Sequence, residues 1–261
     1  MRLTFLGTGT SFGVPQIGCE CAVCRSTDPR DKRTRVGALI ESEGTNLLID
    51  TPTELRFQLI AAGVSRVDAV LFTHDHADHV HGIDDLRSIS VQRTSPLPIY
   101  GPVEALQSLA RKFPYIFDDA VRPLPGTSKP EGVACALEPG RSARIGTLDV
   151  VPVEVPHGPM RVFGYRIGPL GYITDAKSIP ADASALLGKD GGVKVLVLNA
   201  LLRFEHPTHL SLDQAVETAR RIGAERTYLT HLTHHTAHAD LDAELPAGIY
   251  PAFDGLRVAV D

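Results

Sequence analysis

The chain has 261 residues but no tryptophan, only two methionines and only four cysteines. Scarce methionine excludes an adaptable Met-rich binding surface. No stretch approaches the roughly 20 apolar residues that span a bilayer, so no membrane partner is expected. The opening MRLTFLGTGT has no apolar run of the secretory-signal kind. Positive charge is not in excess. Lys and Arg number 26 against 31 Asp and Glu, a net charge of −5. A long nucleic acid is therefore not expected as a partner. These absences make the chain read as cytoplasmic, where thiols stay reduced. Three of the four cysteines fall in CECAVC, and in that compartment clustered thiols point to metal rather than to disulfides. No linker, repeat or low-complexity segment stands out, so residues 1–261 are read as one domain.

What is present is a series of short apolar runs separated by glycine and proline. RLTFL reads as a strand entering a Gly-rich loop, and GALIESEGTNLLID as a hairpin. PTELRFQLIAAG, VEALQSLARKF and LSLDQAVETARRIG carry helical spacing. DAVLFT, LDVVPVEVPHG, RVFGYRIG, LGYITD, VKVLVLNAL, RTYLTHL and LRVAV read as strands. Residues 114–146 read as loop with one strand near GVACALE. There Cys135 alternates with apolar residues, as a core cysteine would. Strands run first as meanders and then alternate with helices, which favours a sandwich of two mixed sheets with helices outside.

Four strands end in polar groups: VLFTHDHADH, VPVEVPHG, GYITDA and TYLTHLTHH. Ligands at strand ends can meet on one rim, held by a rigid sheet. They offer His74, His76, Asp78, His79, His157, Asp175 and His231, more groups than one four-coordinate metal needs. That surplus suits two metals sharing a bridge, which acidify a bridging water and stabilise the oxygens of a displacement. His74 and His76 are two apart and point the same way in an extended segment. Asp78 and His79 follow where the chain should turn into a helix, and can face a second ion. LGTGTSFGVP lacks the G-K-[ST] of a nucleotide loop and reads as a tight loop beneath the metals.

H-x-H-x-D-H followed in order by His157, Asp175 and His231 resembles the metallo-β-lactamase superfamily of binuclear hydrolases. The resemblance implies an αββα sandwich. It implies a first metal on His74, His76 and His157, a second on Asp78, His79 and His231, and Asp175 as the bridge. True β-lactamases usually lack that bridging Asp, so a β-lactam is not the expected substrate. Cys19, Cys21 and Cys24 need a fourth ligand to close a tetrahedral zinc, and His234 is available. This pairing resembles the PhnP-like phosphodiesterases, in which a Cys3His zinc pins the N-terminal loop.

His209 lies 22 residues before His231 and just ahead of a helix. In the PhnP-like and tRNase Z-like enzymes a non-ligand His near this place contacts phosphate and serves as an acid. A helix N-terminus would add free N–H groups for the anion. His206 is the weaker candidate, and His81, His235 and His238 read as outer or surface residues. The resulting expectation is a phosphodiesterase for a small, cyclic phosphate ester. A bridging hydroxide attacks, with His209 and Asp78 as catalytic groups. Two catalytic divalent metals (zinc or manganese) and one structural zinc are the cofactors. Residues between about 85 and 145 are expected to build the substrate wall. Oligomeric state is left open, a homodimer included. The alternatives are tRNA 3′ processing, a glyoxalase II-like thioesterase and a non-catalytic zinc scaffold.

Overall fold

The computed structural model describes residues 1–188 and 190–261. The first half runs β1 (Arg2–Gly7), α1 (Ala22–Arg25), β2 (Gly37–Ser42), β3 (Thr45–Ile49), α2 (Leu55–Ala62), β4 (Ala69–Leu71), α3 (Ala77–Val80), α4 (Arg87–Ser90), β5 (Leu97–Gly101), α5 (Val103–Lys112), α6 (Pro114–Phe117) and β6 (Gly132–Ala136). The second half runs β7 (Ala143–Ile145), β8 (Leu148–His157), β9 (Met160–Ile167), β10 (Leu170–Ile173), α7 (Ala181–Gly188), β11 (Val195–Asn199), α8 (Leu212–Ile222), β12 (Arg226–Thr230), α9 (His238–Glu244), β13 (Ile249–Pro251) and β14 (Arg257–Ala259).

Two sheets form, in the orders β14-β1-β2-β3-β4-β5-β6 and β13-β12-β11-β10-β9-β8-β7. Each is mixed. In the first, β3 to β6 are parallel and the remainder antiparallel. In the second, β10 to β13 are parallel and β7 to β10 antiparallel. The continuous apolar strands are explained by burial on both faces. Leu47 and Ile49 of β3 meet Val195 and Val197 of β11 in the core between the sheets. Leu48 turns outward to Leu55, Leu59 and Leu106 on helices α2 and α5. Leu196 and Leu198 turn outward to Leu187, Ala215 and Leu241 on α7, α8 and α9. The result is the αββα sandwich that the strand pattern and the resemblance implied.

Strand direction places the polar ends. Strands β10, β11 and β12 are parallel, and β8 is antiparallel to β9, itself antiparallel to β10. The C-terminal ends of β8, β10 and β12 therefore share one rim.

Several expectations are corrected. The short α6, α7, α9, β5, β7 and β13 escaped the sequence reading because each offers fewer than three helical turns or at most five strand residues of pattern. Cys135 is half-buried on β6, an edge strand, and not a core residue. The N-terminus of α8 offers phosphate fewer free donors than expected. Ser211 and Gln214 form a reciprocal capping box, and the Leu212 N–H donates to the Leu202 carbonyl at 2.8 Å. Of the three histidines read as outer or surface residues, His238 is buried against Phe253, and His81 and His235 are exposed.

Gly82 closes the H-x-H-x-D-H segment. Its N–H donates to the Thr51 carbonyl at 2.8 Å, and a Cβ there would lie 2.0 Å from the Pro52 carbonyl oxygen. Gly82→Ala should therefore destabilise by about 1–3 kcal/mol through overpacking. Urea unfolding checks this, and an unchanged midpoint contradicts it.

Candidate metal centre

The segment after β4 does what its spacing predicts. His76 is the last extended residue (ψ 150°) before α3 begins at Ala77, so Asp78 and His79 sit in a helical turn. Donor atoms of His74, His76, His157 and Asp175 lie within 4.8 Å of one another, and so do those of Asp78, His79 and His231. Asp175 Oδ2 is 3.2 Å from His79 Nε2 and 3.7 Å from His74 Nε2, while its Oδ1 is 3.3 Å from His231 Nε2. One carboxylate thus touches both groups. Asp175 and His231 follow their strands in the left-handed region, with φ 62° and 58°. That conformation is uncommon for side-chain-bearing residues and clusters at functional sites.

The outer contacts aim the rings. The Thr73 hydroxyl donates to Asp50 Oδ2 at 2.8 Å and so accepts from His74 Nδ1 at 3.0 Å. His79 Nδ1 donates to Asp50 Oδ2 at 2.7 Å. His157 Nδ1 donates to the Thr208 carbonyl at 3.0 Å. Each bond leaves Nε2 facing the cluster, the arrangement that orients metal-ligating histidines. The Nε2 atoms of His74 and His231 are buried without a hydrogen-bond partner. Burial pushes His74 well below its ordinary pKa and His231 down to about 4, so both keep a lone pair at neutral pH. These residues fit a pair of divalent cations. Asp50, Thr73 and Thr208 were not singled out in the sequence, although LLID shows the same signal of an apolar strand ending in an acid.

His209 is brought into the cluster, not left as an exposed loop residue. It is 8% exposed, its Nε2 is 3.4 Å from Asp175 Oδ2, and its ring stacks on His231 at 4.8 Å. It therefore lies within ligand distance of Asp175 and His231, closer than a purely outer residue would. His206 stands behind it, half-buried. A cavity of about 560 Å³ opens beside His74, lined by Arg111 of α5, Leu137, Glu154, Arg161 and Phe163. The expected wall between residues 85 and 145 therefore supplies only part of the lining. Asp75 ties α5 to the metal segment, accepting from Ser108 Oγ at 2.5 Å and Lys112 Nζ at 2.9 Å.

A second cluster joins Cys19, Cys21, Cys24 and His234. His234 Nδ1 is 3.3 Å from Cys19 Sγ and 3.4 Å from Cys21 Sγ. Tetrahedral zinc with bonds of about 2.0–2.3 Å separates such donors by roughly 3.3–3.8 Å, so the residues fit. The Cys24 backbone N–H, then His234, lowers the Cys21 thiol to about 6. Arg33, buried and not anticipated, bonds the carbonyls of Thr233 and Thr236 and pairs with Asp31 at 3.3 Å. Asp31 also accepts the His238 N–H at 2.7 Å. The Gly-rich loop lies beside them, with the Leu232 N–H donating to the Thr8 carbonyl at 2.8 Å.

The comparisons agree with this geometry. Residues 45–232 match the family model described as "Beta-lactamase superfamily domain". The "Octanoyltransferase" of Porphyromonas gingivalis is 39% identical over 264 residues, covering 100% of this chain and 52% of that protein. The "Ribonuclease Z" of Bradyrhizobium sp. is 27% identical over 199 residues, covering 74% of this chain and 57% of its own. The chain thus spans about half the length of these curated relatives. A crystal structure described as "a New Diphosphatase from the PhnP Family" superposes with a TM-score of 0.90 at 36% identity, covering 100% of this chain and 98% of the other.

Two tests follow. Burial opposes a charge on His79, but Asp175 and Asp50 hold its pKa well above the ordinary value. In the metal-free chain it carries a proton at neutral pH, and a cation taking Nε2 must displace it. Metal titration calorimetry at pH 7 should show proton release that depends on buffer ionisation enthalpy, with affinity falling as pH falls. Buffer-independent heats contradict this. Cys24→Ser should remove one chelator-resistant zinc of up to three metals per chain and leave the others, counted by plasma mass spectrometry. An unchanged count contradicts the thiolate site.

Proposed function

Because the chain belongs to the PhnP branch of the metallo-β-lactamase superfamily, we propose that it is a metal-dependent phosphodiesterase acting on a small, cyclic phosphate ester. The observation that carries this reading is His209 Nε2, buried without a hydrogen-bond partner and 3.4 Å from Asp175, in a cluster whose His74 lines an open cavity. His74, His76 and His157 would hold one divalent cation, Asp78, His79 and His231 the other, with Asp175 shared. Such a pair neutralises phosphate oxygens and makes an attacking water acidic. Asp78, half-buried, would orient that water as well as bind. His209 gives its Nε2 proton to the departing oxygen. The cavity seats the organic part, with Phe163 and Leu137 apolar and Arg111 and Arg161 cationic. Cys19, Cys21, Cys24 and His234 would hold a structural zinc that fixes the loop bearing His231.

Other chemistries fit less well. Octanoyl transfer is named for the P. gingivalis protein, and the cavity wall here sets Glu104, Arg111, Glu154 and Arg161 among its apolar residues. The chain covers only 52% of that relative. The tRNA processing read as an alternative needs a basic arm, and the sequence has none and a net charge of −5. A glyoxalase-type thioesterase leaves the Cys3His cluster and His209 without a role.

The test is a panel of cyclic nucleotides, ribose cyclic phosphates, a thioester and a β-lactam, assayed with zinc and with manganese. Turnover of cyclic phosphodiesters is expected, and turnover of the thioester alone contradicts the reading. His209→Ala should lower kcat about 10²-fold or more while bound metal is unchanged. Wild-type turnover in that variant would sink the acid role.

A further inference from the structure

Residues 232–236, which follow His231, are gripped by the N-terminal loop. The Leu232 N–H donates to the Thr8 carbonyl at 2.8 Å. Arg33 is 1% exposed. Its Nη1 donates to the Thr233 carbonyl, and its Nη2 to the Thr236 carbonyl at 3.1 Å. One planar guanidinium thus clamps the chain on both sides of His234, whose ring meets Cys19 and Cys21. The backbone of Arg33 reaches the same cluster from the other side. Its N–H donates to the Val14 carbonyl at 2.8 Å, and the Val14 N–H donates back at 2.7 Å. Val14 packs with Val23 and Cys24. Two routes from the cysteine cluster therefore converge on Arg33, and its bond to Thr233 lies two residues from His231. Each residue has two soft backbone dihedrals. Unclamped, residues 232 and 233 would absorb a small displacement of His234 before it reached His231. The guanidinium removes that slack.

We propose that Arg33 is a positioning residue that couples the two clusters. A cation held by Cys19, Cys21, Cys24 and His234 tightens, through Arg33, the binding of the cation held by Asp78, His79 and His231. The inference deepens the structural-zinc reading and rests on it. The first ion orders the loop, so the second loses less conformational freedom and meets a His231 already in place. The coupling is reciprocal, so an ion at His231 tightens the cysteine cluster by the same factor.

The test is a zinc-binding cycle of wild type, Cys24→Ser, Arg33→Met and the double variant. Affinity is read by chelator competition, and the site being filled by the ring ¹H–¹⁵N resonances of His231 and His74. Cys24→Ser and Arg33→Met should each weaken the His231 ion about tenfold, and the double variant no more than either alone. The rim still fills in excess metal. The ion among His74, His76 and His157 should stay within about twofold of wild type, which a general loosening of the fold would not allow. Hydrogen exchange gives a second readout. With only the chelator-resistant zinc bound, the Leu232 amide should exchange more slowly than in the metal-free chain, and Arg33→Met should abolish the difference. Arg33→Lys keeps a charge for Asp31, but one ammonium does not reproduce the fork on both carbonyls. It should show part of the loss, and it carries the cycle if Arg33→Met does not fold. Additive losses in the double variant, or wild-type affinity for the His231 ion in Cys24→Ser, overturn the proposal and leave the structural zinc standing. A cysteine cluster that binds no zinc overturns both.

Discussion

The Asp175 carboxylate is the constraint around which the rim is arranged. It is 2% exposed, and burying an anion so completely is costly unless positive charge meets it. Nitrogens of His79, His231, His209 and His74 lie between 3.2 and 3.7 Å from its oxygens. Burial alone would raise its pKa, but His231 and His79 hold it well below the ordinary value. In the metal-free chain the positive charge is the His79 proton. A bound pair of cations would supply it more fully, and the unpartnered nitrogens would then gain partners. The left-handed backbone at Asp175 and His231 stores strain that these contacts offset.

The two metal-type clusters are joined by the chain itself. His231 belongs to the rim and His234, three residues on, to the thiolate group. Between and beyond them, Arg33 bonds the carbonyls of Thr233 and Thr236. A buried guanidinium is expensive unless its donors are satisfied, so the contacts that stabilise Arg33 also fix the loop. The cysteine cluster, through His234, thereby joins Arg33 in holding the segment that follows His231.

Much of this was legible in sequence for a physical reason. H-x-H-x-D-H is contiguous, and its spacing alone separates an extended pair from a helical pair. His157, Asp175 and His231 were found because each ends an apolar strand, and strands of one direction deliver their ends to one rim. Asp50, Thr73, Thr208, Asp31 and Arg33 were missed because their roles exist only in tertiary contacts, with partners up to 207 residues away. Asp50 had a visible signal, an acid ending the strand LLI. Arg33 had none, since nothing local marks an arginine that will be buried. The free helix N-terminus expected for phosphate is reduced for a partly local reason: Ser211 and Gln214 spell a capping box, which takes the Gln214 N–H.

The most direct test is anomalous diffraction from crystals of the metal-loaded chain at the zinc or manganese edge. The account predicts two peaks about 3.5–4 Å apart, flanking Asp175, one among His74, His76 and His157 and the other among Asp78, His79 and His231. An Asp175 carboxylate with no peak beside it, or with one peak only, would contradict the account.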